Sequence, residues 1–391
     1  MSENNFKDDF PIFSNNPDVI YLDSAATSQK PKNVLLKEEQ YKEFFCANAK
    51  RGSYEWSSKV DFEIEKSRIN IAKLINASSP NDIVFTSGAT MSLNLVALCW
   101  AAHNLKSGDE IMLCEKDHKS MVLPFKNLPH KIKIVPYNLD VSGKINLSDI
   151  KSKITPQTKL INVTHIHNVA GVENDLAAIK AMLPQGCALN IDAAQSVSHT
   201  KIDVQAFGAD FVSFSGHKMF ATTGIGALWV NPIRHNEFFP VLFGGEQKNG
   251  ANFYEKIECG TPNIGGIISL GEAASYIIDT GIETISQSIL NLSSYMFEKF
   301  LSHPRINLVY PTRIYNIQKH FGILAFTLDD FEASDVGEYL SQNNVCVRHG
   351  LHCNNSSENK ESIRISLQLY NTKDDVDRAF ELIKKLIDYE S

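Results

Sequence analysis

The chain has 391 residues, 43% of them hydrophobic, enough to bury a large core and to divide into one large domain and one smaller one. Its formal charge of -7 comes from 38 basic and 45 acidic residues scattered along the chain, so the electrostatic footprint of a nucleic-acid or membrane-surface binder is missing. No apolar run approaches the roughly 20 residues that span a bilayer, and the opening MSENNFKDDF lacks the basic and apolar regions of a signal peptide, so a cytoplasmic protein is expected.

In chain order, the apolar runs Ile83 to Thr86, Ile111 to Cys114, Leu160 to Val163, Ala188 to Ile191 and Phe211 to Phe214 read as buried strands, separated by helical patterns such as Met91 to Ala102 and Leu176 to Leu183. This rhythm predicts a parallel sheet in an α/β domain. A further apolar run follows at Gly226 to Val230. From about Gly265 one long helical pattern runs to near Phe300, followed by strand-like Ile323 to Thr327, Val345 to Val347 and Ile363 to Ser366, and by a closing helix over Asp374 to Tyr389. A second, α+β domain is expected there. The 7 cysteines are dispersed, odd in number and without a CxxC, which suits a reducing compartment and argues against a disulfide framework or a cysteine-rich zinc site.

Ligands of open parallel sheets sit beyond the carboxyl ends of the strands. After Thr86 comes Ser87-Gly88-Ala89-Thr90, a glycine turn that aims amides and a hydroxyl at an anion. After Cys114 come Asp117 and His118; after Val163 come Thr164, His165 and Asn168; after Ile191 come Asp192 and Gln195; after Phe214 come Ser215, His217 and Lys218. Singly, each has an ordinary reading: a strand-end lysine snorkels, and a strand-end aspartate caps a helix. His165 and His167 lack an evident third ligand, so no metal is expected. Together the residues match the needs of pyridoxal 5'-phosphate: an amine for its aldehyde, a carboxylate for its ring nitrogen, donors for its phosphate and a flat group against its ring.

The motifs YLDSAATSQKP at Tyr21 to Pro31, Arg51-Gly52, FTSGAT with Asn94, Asp117-His118, Asp192-Ala193-Ala194-Gln195, SGHK, CGTPN at Cys259 to Asn263, Arg348 to Cys353 and IRISLQLYNT run almost from end to end. With them the chain resembles the class V aminotransferase group of fold-type I pyridoxal-phosphate enzymes, and within it the cysteine desulfurases and selenocysteine lyases. The resemblance implies a large domain over 21-264 with a mostly parallel, seven-stranded type of sheet, a small α+β domain over 265-391 carrying a cysteine loop, and a segment 1-20 packing with the small domain. It implies Lys218 as the lysine joined to the cofactor, His118 stacked on the ring, Asp192 on the ring nitrogen, and Asn168 and Gln195 near the phenolic oxygen. Gly88, Ala89, Thr90, Ser215 and His217 would hold the phosphate, with Thr261 reaching the phosphate of a neighbouring subunit in a homodimer. Arg364 would grip the substrate carboxylate, with Arg348, Asn94 and Arg51 also at the site.

The implied reaction converts L-cysteine to L-alanine, leaves a persulfide on Cys353 and hands the sulfur to a protein acceptor. Selenocysteine is a second candidate substrate. The alternative is another class V enzyme, such as an epimerase, a C–S β-lyase or a biosynthetic aminotransferase-like enzyme, with Cys353 idle. Ser87, Ala89, Met91 and Lys119 depart from the residues usual in the family at those places.

Overall fold

The apolar runs of the first part of the chain form one seven-stranded sheet in the order Ile83–Thr86, Gly226–Val230, Phe211–Ser215, Ala188–Asp192, Thr158–Thr164, Glu110–Cys114, Lys133–Tyr137. These positions come from a computed structural model, which describes residues 6–248, 252–311, 320–352 and 361–389. Strands Glu110–Cys114, Ala188–Asp192, Phe211–Ser215 and Gly226–Val230 are buried throughout, which is why they read as continuous apolar runs rather than alternating ones.

All neighbouring strands in this sheet run parallel except at Gly226–Val230, which is antiparallel to both Phe211–Ser215 and Ile83–Thr86. The cause is length. The segment 216–225 is shorter than the dozen or so residues that a parallel crossover needs.

The second sheet is antiparallel, with Arg348–Gly350, Ser362–Ser366, Ile323–Leu328 and Ile306–Leu308 side by side. Leu324, Phe326, Ile363 and Ile365 of this sheet bury against Met296, Phe300, Val336, Phe380 and Ile383 of three helices, a core separate from that of the large sheet. The single helical pattern expected from Gly265 to Phe300 is two helices, Ile264–Thr280 and Ile282–Leu301. Gly281 breaks it by adopting φ 85°, a backbone setting that glycine reaches without strain, while its amide still donates to the carbonyl of Ile277 at 3.0 Å.

The N-terminal segment touches both cores. Ile20–Tyr21 pairs in parallel with Val345–Cys346. Phe10, wholly buried, meets Tyr370 at 4.9 Å and Phe220 at 5.7 Å between ring centroids. Among the described residues no helix is long and apolar enough to cross a membrane.

Candidate active site

Strand Phe211–Ser215 ends in the short turn Gly216–Lys218. This turn is held from several sides. The carbonyl of His217 accepts from the Ser28 amide at 2.8 Å, the Thr27 hydroxyl at 3.0 Å and the Ser28 hydroxyl at 3.1 Å, and the carbonyl of Lys218 accepts from the Ser198 hydroxyl at 3.0 Å. With the backbone fixed, His217 and Lys218 line a cavity of about 340 Å³ beyond the strand ends.

Opposite the lysine lies the glycine turn. Helix Ala89–Leu95 begins without a side-chain cap, its N-cap Gly88 has φ 147°, and a Cβ there would come within 3.2 Å of Ser215 Oγ. A Cβ on Gly226 would come within 2.6 Å of the Gly88 Cα, so a bare backbone crossing sets how closely the turn approaches the strand. Ser215 Oγ accepts from the Ala89 amide at 2.8 Å, which leaves the hydroxyl proton available to an anion.

His118 caps helix Lys119–Lys126: its Nδ1 accepts from the Ser120 amide at 3.2 Å, so the neutral ring carries its proton on Nε2. Burial, then the positive charge of Lys218, lowers the His118 pKa below the ordinary histidine value. Asp192 is 5% exposed and one of its oxygens accepts from the Ala194 amide at 2.9 Å; the other remains for a cationic N–H. Behind these groups, burial raises the Asp117 carboxyl to about 8, with Asp192 adding repulsion.

The far wall comes from the second sheet. Arg364, 3% exposed, donates Nη1 to the carbonyl of Asn168 at 3.0 Å and Nη2 to Asp23 Oδ1 at 3.3 Å. Arg348 donates Nη2 to Asp23 Oδ2 at 2.9 Å. His352 is held by Ser362 at 2.9 Å, its carbonyl accepts from Asn168 Nδ2 at 3.1 Å, and burial beside both arginines pushes its pKa down to about 3. Gln195 donates to the carbonyl of Ala25 at 2.8 Å and closes the wall toward the N-terminal segment.

Of the residues expected from sequence, Gly88, Ala89, Thr90, His118, Asn168, Asp192, Gln195, Ser215, His217, Lys218, Arg348 and Arg364 therefore line one cavity, together with Ser87 and Met91. Three do not. Arg51 is 77% exposed in its side chain and pairs with Glu246 at 3.0 Å, Asn94 donates to the carbonyl of Thr90 at 2.8 Å, and Thr261 lines a second cavity of about 720 Å³ that shares Ser87 with the first. Cys353 lies outside the described residues. His165 and His167 face Glu173 at 3.3 Å and Asp117 at 3.9 Å respectively. Sequence reasoning missed Asp23 and Ser120; the first stands inside YLDSAATSQKP, and the second sits at the spacing where a histidine caps a helix.

These residues fit pyridoxal 5'-phosphate. The backbone hollow at Gly88, which a side chain would fill, suits a phosphate; a lysine amine and a buried carboxylate share one cavity. Asn168 Oδ1, buried without a protein partner, awaits a donor.

Residues 20–379 match the model of the aminotransferase class-V family. The chain belongs to this pyridoxal-phosphate-dependent family, in its cysteine desulfurase branch. A cysteine desulfurase of Shigella sonnei is 34% identical, over 97% of this chain and 96% of that protein. Among solved structures, the apo cysteine desulfurase of Thermococcus onnurineus superposes with a TM-score of 0.91 at 31% identity, covering 98% of this chain and 97% of its own. The Escherichia coli cysteine desulfurase CsdA, in an S-sulfonic acid form, does so with a TM-score of 0.88 at 28% identity and 98% coverage of both chains. These desulfurases share the fold nearly from end to end.

Proposed function

We infer that this protein is a pyridoxal-phosphate-dependent cysteine desulfurase: it converts L-cysteine to L-alanine and passes the sulfur through Cys353 to a protein acceptor. The observation that carries this reading is the one cavity in which Lys218, Asp192, His118 and Arg364 meet. Bound pyridoxal phosphate supplies an aldehyde for the lysine amine and a ring that withdraws negative charge from the substrate Cα.

Each residue then has a separable task. Arg364 holds the substrate α-carboxylate with its planar fork, in a position fixed by the Asn168 carbonyl and Asp23. Lys218 takes the Cα proton. The buried Asp192 carboxylate keeps a proton on the ring nitrogen. His118, neutral at physiological pH and capped through Nδ1, covers the ring and exchanges a proton at Nε2. Thr90, Ser215 and His217, with the Gly88–Ala89 backbone, hold the phosphate, and Gln195 and Asn168 flank the ring edge. The Cys353 thiolate attacks the substrate sulfur; the C–S bond breaks as an S–S bond forms, and the electron pair left on Cβ takes a proton, giving alanine and a persulfide.

A homodimer with shared sites is supported by the second cavity. Thr261, in the Cys259 to Asn263 turn, lines it away from the lysine, where its hydroxyl would serve a partner's phosphate. Helix Glu55–Leu74 borders the same cavity and leaves Phe62 64% exposed, while Phe243 is 79% exposed, apolar surface of the kind that subunits cover. Residues 21-264 then act as the large, lysine-bearing domain and 265-391 as the small, arginine-bearing one. Dispersed cysteines, unpaired among the described residues, favour a cytoplasmic location.

The test is product analysis with L-cysteine. Wild type should release alanine, and Cys353→Ala should keep the yellow cofactor yet form neither alanine nor persulfide. Pyruvate from wild type, or undiminished alanine from Cys353→Ala, would replace this reading with an eliminating class V enzyme.

A further inference from the structure

Arg68, on helix Glu55–Leu74, is 1% exposed and stands apart from the lysine cavity. Its Nη1 donates to the Ile83 carbonyl and, at 2.9 Å, to Glu258 Oε1, while Nη2 donates to Glu258 Oε2 at 3.1 Å. The guanidinium lies 3.7 Å from the centre of the Tyr254 ring and 4.3 Å from that of Phe85. Glu258 Oε1 also accepts from the Phe85 amide at 2.7 Å. One arginine and one glutamate thus clasp a helix, the strand Ile83–Thr86 and the residue just before Cys259.

Both ends of this clasp lead to phosphate contacts. Phe85 is followed by Thr86, whose hydroxyl oxygen accepts from the Gly88 amide at 3.3 Å and so props the glycine turn. Glu258 leads into Cys259-Gly260-Thr261, where Gly260 turns the chain at φ 75° and its amide donates to the Gly245 carbonyl at 2.7 Å. Arg68, Glu258, Ser87 and Thr261 all line the second cavity. A buried ion pair adds little to stability, because removing two charges from water offsets their attraction, and Arg68 Nε is buried here without a hydrogen-bond partner. What the pair supplies is position: a two-pronged fork fixes the carboxylate in distance and in plane.

We propose that Arg68 is a positioning residue for the cofactor phosphate: through Glu258 it fixes the glycine turn of its own subunit and the Thr261 turn that serves the neighbouring one. The second half rests on the shared-site reading of Thr261.

The test is an absorbance titration of the cofactor-free protein with pyridoxal 5'-phosphate and with pyridoxal, which has the ring and aldehyde without the phosphate. Arg68→Lys keeps the positive charge and loses the fork. It should weaken pyridoxal 5'-phosphate by about tenfold or more and leave pyridoxal within about twofold of wild type. Glu258→Gln, which opens the clasp from the other side, should shift the ratio of the two affinities in the same direction. Combined with Thr261→Ala, Arg68→Lys should cost less than the product of the two single losses, because part of its effect passes through that hydroxyl. A loosened fold would instead weaken both aldehydes alike. Parallel losses for the two aldehydes, an unchanged ratio in Arg68→Lys and Glu258→Gln, or single losses that multiply in the double variant overturn the proposal, while a loss in Thr261→Ala alone still upholds the shared site. Thr261→Ala that binds pyridoxal 5'-phosphate as wild type does overturns the shared site, and the Thr261 half of the proposal with it.

Discussion

Lys218, His118 and Asp192 stand at the ends of strands in one sheet, whereas Arg364, Arg348 and Asp23 come together only when residue 23 is carried to a second sheet more than three hundred residues later in sequence. On the lysine side, each reactive group follows its strand within a few residues and is steadied by local turns and caps. On the arginine side, the geometry depends on ion pairs between distant segments. The difference teaches that the chemical half of this site is built locally and the recognition half by tertiary assembly. Lesions on the two sides should therefore look different.

The largest effect is expected at Lys218. Lys218→Ala should lower alanine formation by at least about three orders of magnitude while the urea unfolding midpoint of the cofactor-free protein stays close to wild type. Borohydride should then fix no cofactor on the protein. A reduced adduct on another lysine would break the assignment.

Next is Gly226→Ala. The added Cβ would stand 2.5 Å from the Phe214 carbonyl and 2.6 Å from the Gly88 Cα, so the strand or the glycine turn must move. We expect cofactor affinity to fall by roughly ten- to a hundredfold, since displaced amides lose charge-assisted hydrogen bonds to the phosphate. Unchanged cofactor retention in equilibrium dialysis would show that the close crossing does not set the hollow.

A smaller loss, about tenfold in cofactor affinity, is expected for Thr261→Ala, the size of one hydrogen bond to a charged group. Light scattering should show the dimer intact. A monomeric wild type that retains full cofactor would refute the shared site.

The mildest expected effect concerns pH. His167, His199 and His320 are each lowered to about 4, first of all by burial, so the fold holds them neutral where the unfolded chain protonates them near 6.5. Their contribution is whole above about pH 6.5 and is lost as pH falls toward 4. Asp117, raised to about 8, has the opposite sign: between its unfolded value and 8 the native state holds the extra proton, so acid favours the fold there. With His217 and His352 lowered in the same way and Asp82 raised to about 6 by burial, five histidines against two carboxyls should make the urea midpoint at pH 5 lower than at pH 7. His199→Gln should flatten the difference; a midpoint that rises on acidification would contradict the balance.

The lysine side was legible in the sequence because strand, turn and reactive residue are neighbours along the chain, as in Phe211 to Lys218. Ser120 was legible only in retrospect: a histidine that caps a helix is one of many uses for that spacing. The antiparallel setting of Gly226–Val230 depends on the length of the connection rather than on any apolar pattern. Gly281 was hidden because helical periodicity runs through it on both sides, and a lone glycine inside a helical pattern does not announce a break. Asp23 could be quoted within a motif but not given a partner, since nothing local to residue 23 says that Arg348 and Arg364 will arrive beside it.

The stretch from Tyr21 to Ser28 is stitched to the antiparallel sheet near its start and to the end of the large sheet's lysine strand at its close: Asp23 bridges to Ser366, and Thr27 and Ser28 donate to the His217 carbonyl beside the lysine. It works as a ruler laid across the seam. The gap between the Lys218 amine and the Arg364 fork is spanned by a fixed number of covalent bonds as well as by packing. The spacing of the two sides of the cavity is tied in this way to the length of one short peptide.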